Sequence, residues 1–414
     1  MTGARVGPRP LPLHLATSVL VSTSSLAALP LARNGSLPWS PDLERAGRAL
    51  ASELAAAEPG AIARAVRAEA ERRLAALLAG IEAYRHHPYE RRVPEPPVLW
   101  QDGTTRMLDY GGGRAAVPVL VVPSLINRGY ILDLSRERSL LRWLVGQGVR
   151  PLLVDWGAPG PDESRFTLTD YIVGRLEPAL EQAAAAAGRP PVVMGYCMGG
   201  MLALALAVRR PREIAGLALL ATPWDFWADA PAHVRLFGAP GMQALVRWLG
   251  VLPVDVLQAL LASLDPNLVP NKLRAFARLD PASKEAEAFV ALEDWLNDGV
   301  PLAGPVAEEC LTGWYGENRP EEGRWRVAGR AVRPEDWHGP AFAVVPSRDR
   351  IVPPASAEAL VRRLPGVLAH RPAAGHIGMV VGSSAETALW RPLAAWIAGA
   401  AASSRRPRVE KPAP

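Results

Sequence analysis

The chain has 414 residues, of which 49% are apolar and 21% charged, with a formal net charge of +5. That is enough for one large domain or two ordinary ones around a sizeable core. Lysine occurs only at 272, 284 and 411; the many arginines are spread among glutamates along helices, the pattern of a solvated surface, with none of the basic-aromatic clustering of a nucleic-acid binder. Two cysteines, Cys197 and Cys310, argue against a disulfide framework and for a reducing, cytoplasmic compartment.

Residues 1–95 read as a helical region. Positions 11–32 are apolar after Arg5 and Arg9, but Pro12, His14, Thr17 and the serine-threonine run 22–25 interrupt them. The segment therefore lacks the unbroken apolar length of a membrane span and only weakly resembles a signal peptide. A helix docking on a core, a partner or a lipidic surface is expected. A second helix should start at Pro41, with Ser40 as its N-cap, and Pro59-Gly60 should break it. A third runs to Tyr84, and 85–97 form a linker.

From about residue 115 strands and helices alternate. Strands are expected over 117–122, 151–154, 192–194 and 214–220. Helices should span 134–146, 168–187 and 198–208. Residues 224–334 break the alternation with scattered aromatics and helical patches and read as a cap insertion. It resumes with strands at 341–345 and 367–371 and helices at 355–364 and 387–398. The expected fold class is α/β: a doubly wound, mostly parallel sheet. The core is 96–223 with 335–402, and 403–414 is a disordered tail.

Chemistry concentrates at Gly195-Tyr196-Cys197-Met198-Gly199-Gly200, between a β-branched strand and an alanine-leucine helix. This is the form of a nucleophile elbow carrying a thiol. Gly195 and Gly199 let the turn close without Cβ clashes, and the helix N-terminus favours negative charge on the sulfur. In such a fold the acid and the histidine follow the nucleophile in chain order. Asp349 and His376 sit after the two late strands and fill those places. Asp155, also at a strand end, is a rival acid but precedes the nucleophile. The backbone N–H of Met198 would be one oxyanion donor. The second should come from Pro123–Asn127, with Ile126 the candidate. Cys310 lacks any such context and reads as core. The histidines at 14, 86, 87, 233, 338 and 370 read as structural or surface groups, and no cluster has metal-ligand spacing.

Several segments together resemble the polyhydroxyalkanoate synthases of the class III, two-component kind. Pro123-Ser124-Leu125-Ile126-Asn127-Arg128-Gly129-Tyr130-Ile131-Leu132-Asp133-Leu134 is similar to that family's Pro-Pro-x-Ile-Asn-Lys-x-Tyr-Ile-Leu-Asp-Leu. Asp155-Trp156-Gly157, Leu168–Ile172, Trp295–Asp298, Trp314–Asn318, Arg348–Pro353 and Gly375–Gly378 resemble further family segments. The likeness covers roughly residues 90–400. Ser124 and Arg128 stand where the family has proline and lysine, and Arg350 where it has histidine.

The resemblance implies an α/β-hydrolase fold and an acyltransferase. It would polymerise (3R)-hydroxyacyl-CoA thioesters on Cys197, releasing CoA and needing no cofactor. It also implies a polyester chain or granule as partner, a possible second synthase subunit, a homodimer or hetero-oligomer, and a site at the granule surface in the cytoplasm. A cysteine hydrolase of the same fold, such as an intracellular polyester depolymerase or esterase, and a non-catalytic granule-associated protein remain the alternatives.

Overall fold

The computed structural model describes residues 5–113 and 115–403. The expected tail therefore falls, from residue 404 on, outside the described residues. The chain forms two compact units, one of residues up to Tyr89 with Leu261–Asn297, the other of Glu90–Leu260 with Asp298 onward.

In the first unit, helices α1 (Leu11–Arg33), α2 (Glu44–Ala56) and α3 (Pro59–His86) precede two more helices, Leu268–Phe276 and Lys284–Asn297. Leu77, Ile81 and Tyr84 recur at helical spacing on α3 and bury a stripe against Leu273, Phe276, Ala286 and Val290. The Phe276 and Phe289 rings stack at 4.3 Å. Residues 261–297, expected in the cap, thus supply half of the N-terminal core, because their apolar faces match α3.

Two further expectations are corrected here. Pro41–Leu43 form a turn, closed by Leu43 N–H on the Ser40 carbonyl at 2.9 Å, and α2 starts only at Glu44. The break at Pro59 holds: the Glu58 carboxylate caps α3 by accepting from the Gly60 and Ala61 N–H groups at 2.7 and 2.5 Å. Residues 11–33 form one unbroken helix, long and apolar enough by length and composition to cross a membrane. The serines do not interrupt it because Ser18, Ser22 and Ser25 each donate to the carbonyl four residues back, at 2.8–2.9 Å.

The second unit is built on an eight-stranded sheet. Its strands are β1 (Val98–Asp102), β2 (Thr105–Asp109), β3 (Val117–Val122), β4 (Val149–Asp155), β5 (Val192–Tyr196), β6 (Gly216–Leu220), β7 (Ala341–Val344) and β8 (Leu368–His370), in the order β1-β2-β4-β3-β5-β6-β7-β8. The run from β4 to β8 is parallel; β1 and β2 join antiparallel. Strands β5 and β6 are buried at every residue, as expected for strands covered on both faces.

The β1–β2 hairpin was not expected, though Asp102-Gly103, with Gly103 at φ +57°, is its turn signal. The helix expected over 134–146 begins at Leu140, because the Ser139 hydroxyl caps it by accepting from Arg142 N–H at 3.0 Å. In the insertion, the loop after β3 is tied to the segment beyond Asn297. Asn127 bridges Gly299, Val300 N–H meets the Ile126 carbonyl at 3.1 Å, and Arg128 pairs with Asp298 at 3.0 Å.

Gly80 on α3 tests the packing of the first unit. A Cβ there would lie 2.2 Å from the Leu273 carbonyl oxygen. Gly80→Ala should raise helix propensity by about 1 kcal/mol yet destabilise the protein by about 1–3 kcal/mol through overpacking. Chemical denaturation that showed Gly80→Ala to be stabilising would contradict this packing.

Candidate active site

Register brings the site together. Tyr196 at the end of β5 pairs with Leu220 on β6, and Leu220 pairs with Val344 on β7, which pairs with His370 on β8. The loops that leave these strands therefore emerge along one edge. Cys197 follows β5, Asp349 follows β7 and His376 follows β8.

Cys197 occupies φ +56°, ψ −126°, a strained conformation for a side-chain-bearing residue. Its N–H continues the sheet by donating to the Leu220 carbonyl at 2.9 Å, and its carbonyl accepts from Gly200 N–H at 2.9 Å as helix α4 (Met198–Arg209) begins. Strand thus passes to helix within one residue. A Cβ on Gly195 would sit 2.4 Å from Gly200 Cα, and one on Gly199 2.1 Å from the Val122 carbonyl oxygen. The second distance shows how closely the loop after β3 lies under the elbow.

His376 and Asp349 are buried. His376 Nδ1 meets Asp349 Oδ2 at 2.6 Å, while Asp349 Oδ1 accepts from the N–H groups of Ile351 and Val352 at 2.8 and 2.9 Å. The carboxylate is therefore oriented by three hydrogen bonds. The Cys197 side chain also acts on His376 by charge and hydrogen bonding; with Nδ1 occupied by Asp349, Nε2 is the nitrogen left for it. Burial alone would strip the proton from the imidazole. The negative charges of Cys197 and Asp349, with hydrogen bonds to both, outweigh it and push the pKa up to about 10.

The rival acid is engaged elsewhere. Asp155 pairs with Arg106 at 2.6 Å. Cys310 is buried, and burial followed by the charge of Glu309 pushes its thiol well up, so it stays protonated and inert. Met198 N–H lies at the first position of α4, as expected. Ile126 N–H instead donates to the Ser124 hydroxyl of its own loop at 3.3 Å, a long bond that a substrate oxygen would have to displace. Among the described residues no group of His, Cys, Asp and Glu is arranged to hold a metal ion.

A family model described as alpha/beta hydrolase fold matches residues 117–383, more than half of the chain. The chain belongs to the α/β-hydrolase fold family. Among curated proteins, the poly(3-hydroxyalkanoate) polymerase subunit PhaC of Haloferax mediterranei is 28% identical over 73% of this chain and 63% of its own length. The subunit of the same name from Allochromatium vinosum is 26% identical over 68% of this chain and 80% of its own. Among solved structures, the monoacylglycerol lipase of Paleococcus ferrophilus is 16% identical, covering 72% of this chain and 99% of that one, with a TM-score of 0.44.

Four residues beyond the expected site residues shape this hydrolase-fold site. Tyr196 donates its hydroxyl to the His376 carbonyl at 3.2 Å and stacks on the imidazole at 5.2 Å, fixing the ring from the strand side. Its place between Gly195 and Cys197 was the available signal. Gly200 has no room for a side chain, since a Cβ would fall 1.8 Å from Thr222 Oγ1. Tyr315, from the insertion, packs edge-on to Phe226 at 4.9 Å. Burial, then the charge of Cys197, keeps its phenol protonated. Nothing in the spacing around Tyr315 connects it to the elbow. Asn318 of the same segment donates to the Asp225 carboxylate and accepts from Phe226 N–H, at 2.8 and 2.9 Å, holding the loop after β6.

Cys197 is the foremost of the influences that raise the His376 pKa. In Cys197→Ala that pKa should fall well below about 10, as read by NMR titration of the imidazole. The native folded value lies above the roughly 6.5 of an unfolded chain. The His376 contribution to stability is thus complete below about pH 6.5 and lost as pH rises toward 10, and the variant should lose much of that slope. An unchanged His376 titration would rule out the Cys197–His376 contact.

Proposed function

We propose that the chain is the catalytic subunit of a poly(3-hydroxyalkanoate) polymerase that elongates polyester on Cys197. The observation that carries this is a thiol on a strained elbow, hydrogen-bonded to an imidazole that a buried carboxylate orients, in a chain whose relatives are named as such polymerases.

The chemistry follows from the positions of the three groups. The Cys197 sulfur attacks the thioester carbonyl of a (3R)-hydroxyacyl-CoA. The S–C bond to Cys197 forms, the S–C bond to CoA breaks, and the His376 proton leaves with the CoA thiol. One thioester replaces another, so the step is nearly balanced in free energy and the acyl group stays activated. His376 Nε2, now neutral, then takes the proton of a 3-hydroxyl group. That oxygen attacks the Cys197 thioester, an ester C–O bond forms, and the Cys197 sulfur is released. Asp349 does not take a proton; it holds the imidazole in position and stabilises its charged form. Developing negative charge on the carbonyl oxygen would be met by Met198 N–H and, once freed from Ser124, by Ile126 N–H.

The reaction is redox-neutral and calls for no cofactor beyond the CoA thioester that is its substrate. The word subunit in the relatives' names supports a second synthase subunit as partner, in a homodimer or hetero-oligomer. The growing product would place the enzyme in the cytoplasm, at the surface of its own polyester. Water at Cys197 would turn the same intermediate into free hydroxy acid, so product identity separates polymerase from hydrolase.

Purified protein supplied with 3-hydroxybutyryl-CoA, with and without a candidate second subunit, should release CoA and form polymer. Cys197→Ala should abolish turnover, Asp349→Asn should lower it by about 10³–10⁴-fold, and Cys310→Ala should leave it unchanged. Free hydroxy acid as the sole product would convert the assignment to a hydrolase. Full activity in Cys197→Ala would overturn it altogether.

A further inference from the structure

Helix α1 is built the reverse of a surface helix on a soluble protein. Leu13, Leu20 and Leu31 are exposed, Leu20 by 65%. With Ala16, Thr23 and Ala27, also exposed, they form an outward stripe at spacings of three or four. Ser18 and Ser22, half-buried in contrast, line a cleft beneath the helix, with Ser25 at its exposed edge. No charged residue lies between Arg9 and Arg33. Thr23, the one polar residue of that stripe, donates back to the Val19 and Leu20 carbonyls at 3.0 and 3.1 Å, so the stripe needs no water. A soluble helix puts its polar stripe outward; α1 presents its apolar one.

The cleft, about 650 Å³, runs between α1, α3 and the Leu268–Phe276 helix, all in the first unit. Its lining includes Arg73, Arg274 and Asn271, with Glu69 as the single acid. Both Glu69 oxygens are already taken: Arg72 holds the carboxylate through two bonds and Arg73 shares Oε1, all at 2.7 Å. Arg274 donates to Asn271 Oδ1 at 2.6 Å and forms no ion pair with any described carboxylate. Partial burial and the neighbouring Arg73, Arg278 and Arg72 lower its pKa, and Glu69 opposes them only in part. Positive charge is thus in surplus where solvent screening is reduced, an arrangement that an anion relieves.

We propose that this cleft binds the phosphate headgroup of an anionic lipid, with Arg73 and Arg274 on the phosphate and the acyl chains along the outward face of α1. Guanidinium forks match phosphate oxygens in pairs. The serine oxygens and Asn271 can hydrogen-bond headgroup hydroxyls. Val21 and Leu74 add apolar lining, and Val21 is also 45% exposed, so the cleft opens beside the apolar stripe. A small soluble phosphate would use the arginines but leave that stripe uncovered. The site is separate from Cys197, so its failure would leave the polymerase assignment untouched.

Co-sedimentation with phosphatidylcholine vesicles, with and without phosphatidylglycerol, tests this. The full chain should bind the mixed vesicles and release them at high salt. Each of Arg73→Gln and Arg274→Gln should weaken binding roughly five-fold, Arg274→Lys less, and Leu13→Ser with Leu20→Ser should also weaken it. CoA release from soluble substrate and the circular dichroism spectrum should not change. Equal binding by a folded Arg73→Gln, Arg274→Gln double variant would overturn the proposal. So would thermal stabilisation by inorganic phosphate without vesicle binding, which would mark a soluble-phosphate site. Should the double variant not fold, the native chain still decides: equal affinity for neutral and anionic vesicles, or none for either, refutes the headgroup role.

Discussion

The backbone at Cys197 is the constraint on which the rest of the site depends. Strand β5 stays paired with β6 up to Cys197 itself, and α4 starts at the next residue. No loop absorbs the change of direction, so one side-chain-bearing residue must take φ +56°. Such a conformation costs about 1–3 kcal/mol and persists because sheet pairing on one side and helix on the other leave no alternative. The glycines follow from the same crowding. At 195, 199 and 200 a Cβ would come within 2.4 Å of its neighbours. The outcome is a thiol at the N-cap of a helix, where the helix dipole favours negative charge.

A parallel sheet then turns strand register into chemistry. Because Tyr196, Leu220, Val344 and His370 are linked across four strands, loops far apart in sequence leave the sheet beside one another. Burying a carboxylate is costly unless its oxygens are satisfied. Asp349 meets that condition with two backbone N–H groups and one imidazole. Burial and charge oppose each other at His376, and charge prevails. At Cys310 there is no such opposition: burial and a neighbouring carboxylate both disfavour the thiolate. Two cysteines in one unit therefore differ in reactivity through their surroundings alone.

Legibility from sequence tracked how local each signal was. The elbow, Asp349 and His376 could be read because each lies in a short segment of glycines and strand-end residues whose chain order carries meaning. Central strands could be read from their apolar runs. The β1–β2 hairpin could not, since β1 is largely exposed and carries no apolar alternation. The partner of residues 261–297 was hidden because pairing between helices is not written in the spacing of either one. Helix α1 looked interrupted because its serines were counted as polar, whereas folded they are satisfied within the helix. Ile126 was named as a donor from its place in the loop, but the Ser124 hydroxyl, which decides where that N–H points, acts through a contact two residues away.

The segment after β3 links the elbow to the insertion. Its backbone lies under Gly199, its Ile126 carbonyl and Asn127 are bonded to Val300 and Gly299, and its Arg128 holds Asp298. The loop that would supply an oxyanion donor under the proposed function is therefore also the loop to which the insertion is fastened. Moving the insertion to admit a substrate would pull on Ile126 and Asn127, and closing it would return them. Asn318 provides a second tie, from the insertion to the loop after β6. In the proposed reaction, whose intermediate would have to meet an alcohol rather than water, such coupling would have a physical use. The donors would be aligned only while the site is covered, so the acyl group on Cys197 would be least reactive when water can reach it. An arginine at 128, bonded through Nε to Asp298 at 3.0 Å, holds its planar guanidinium in a more directional tie than a lysine at the same place would.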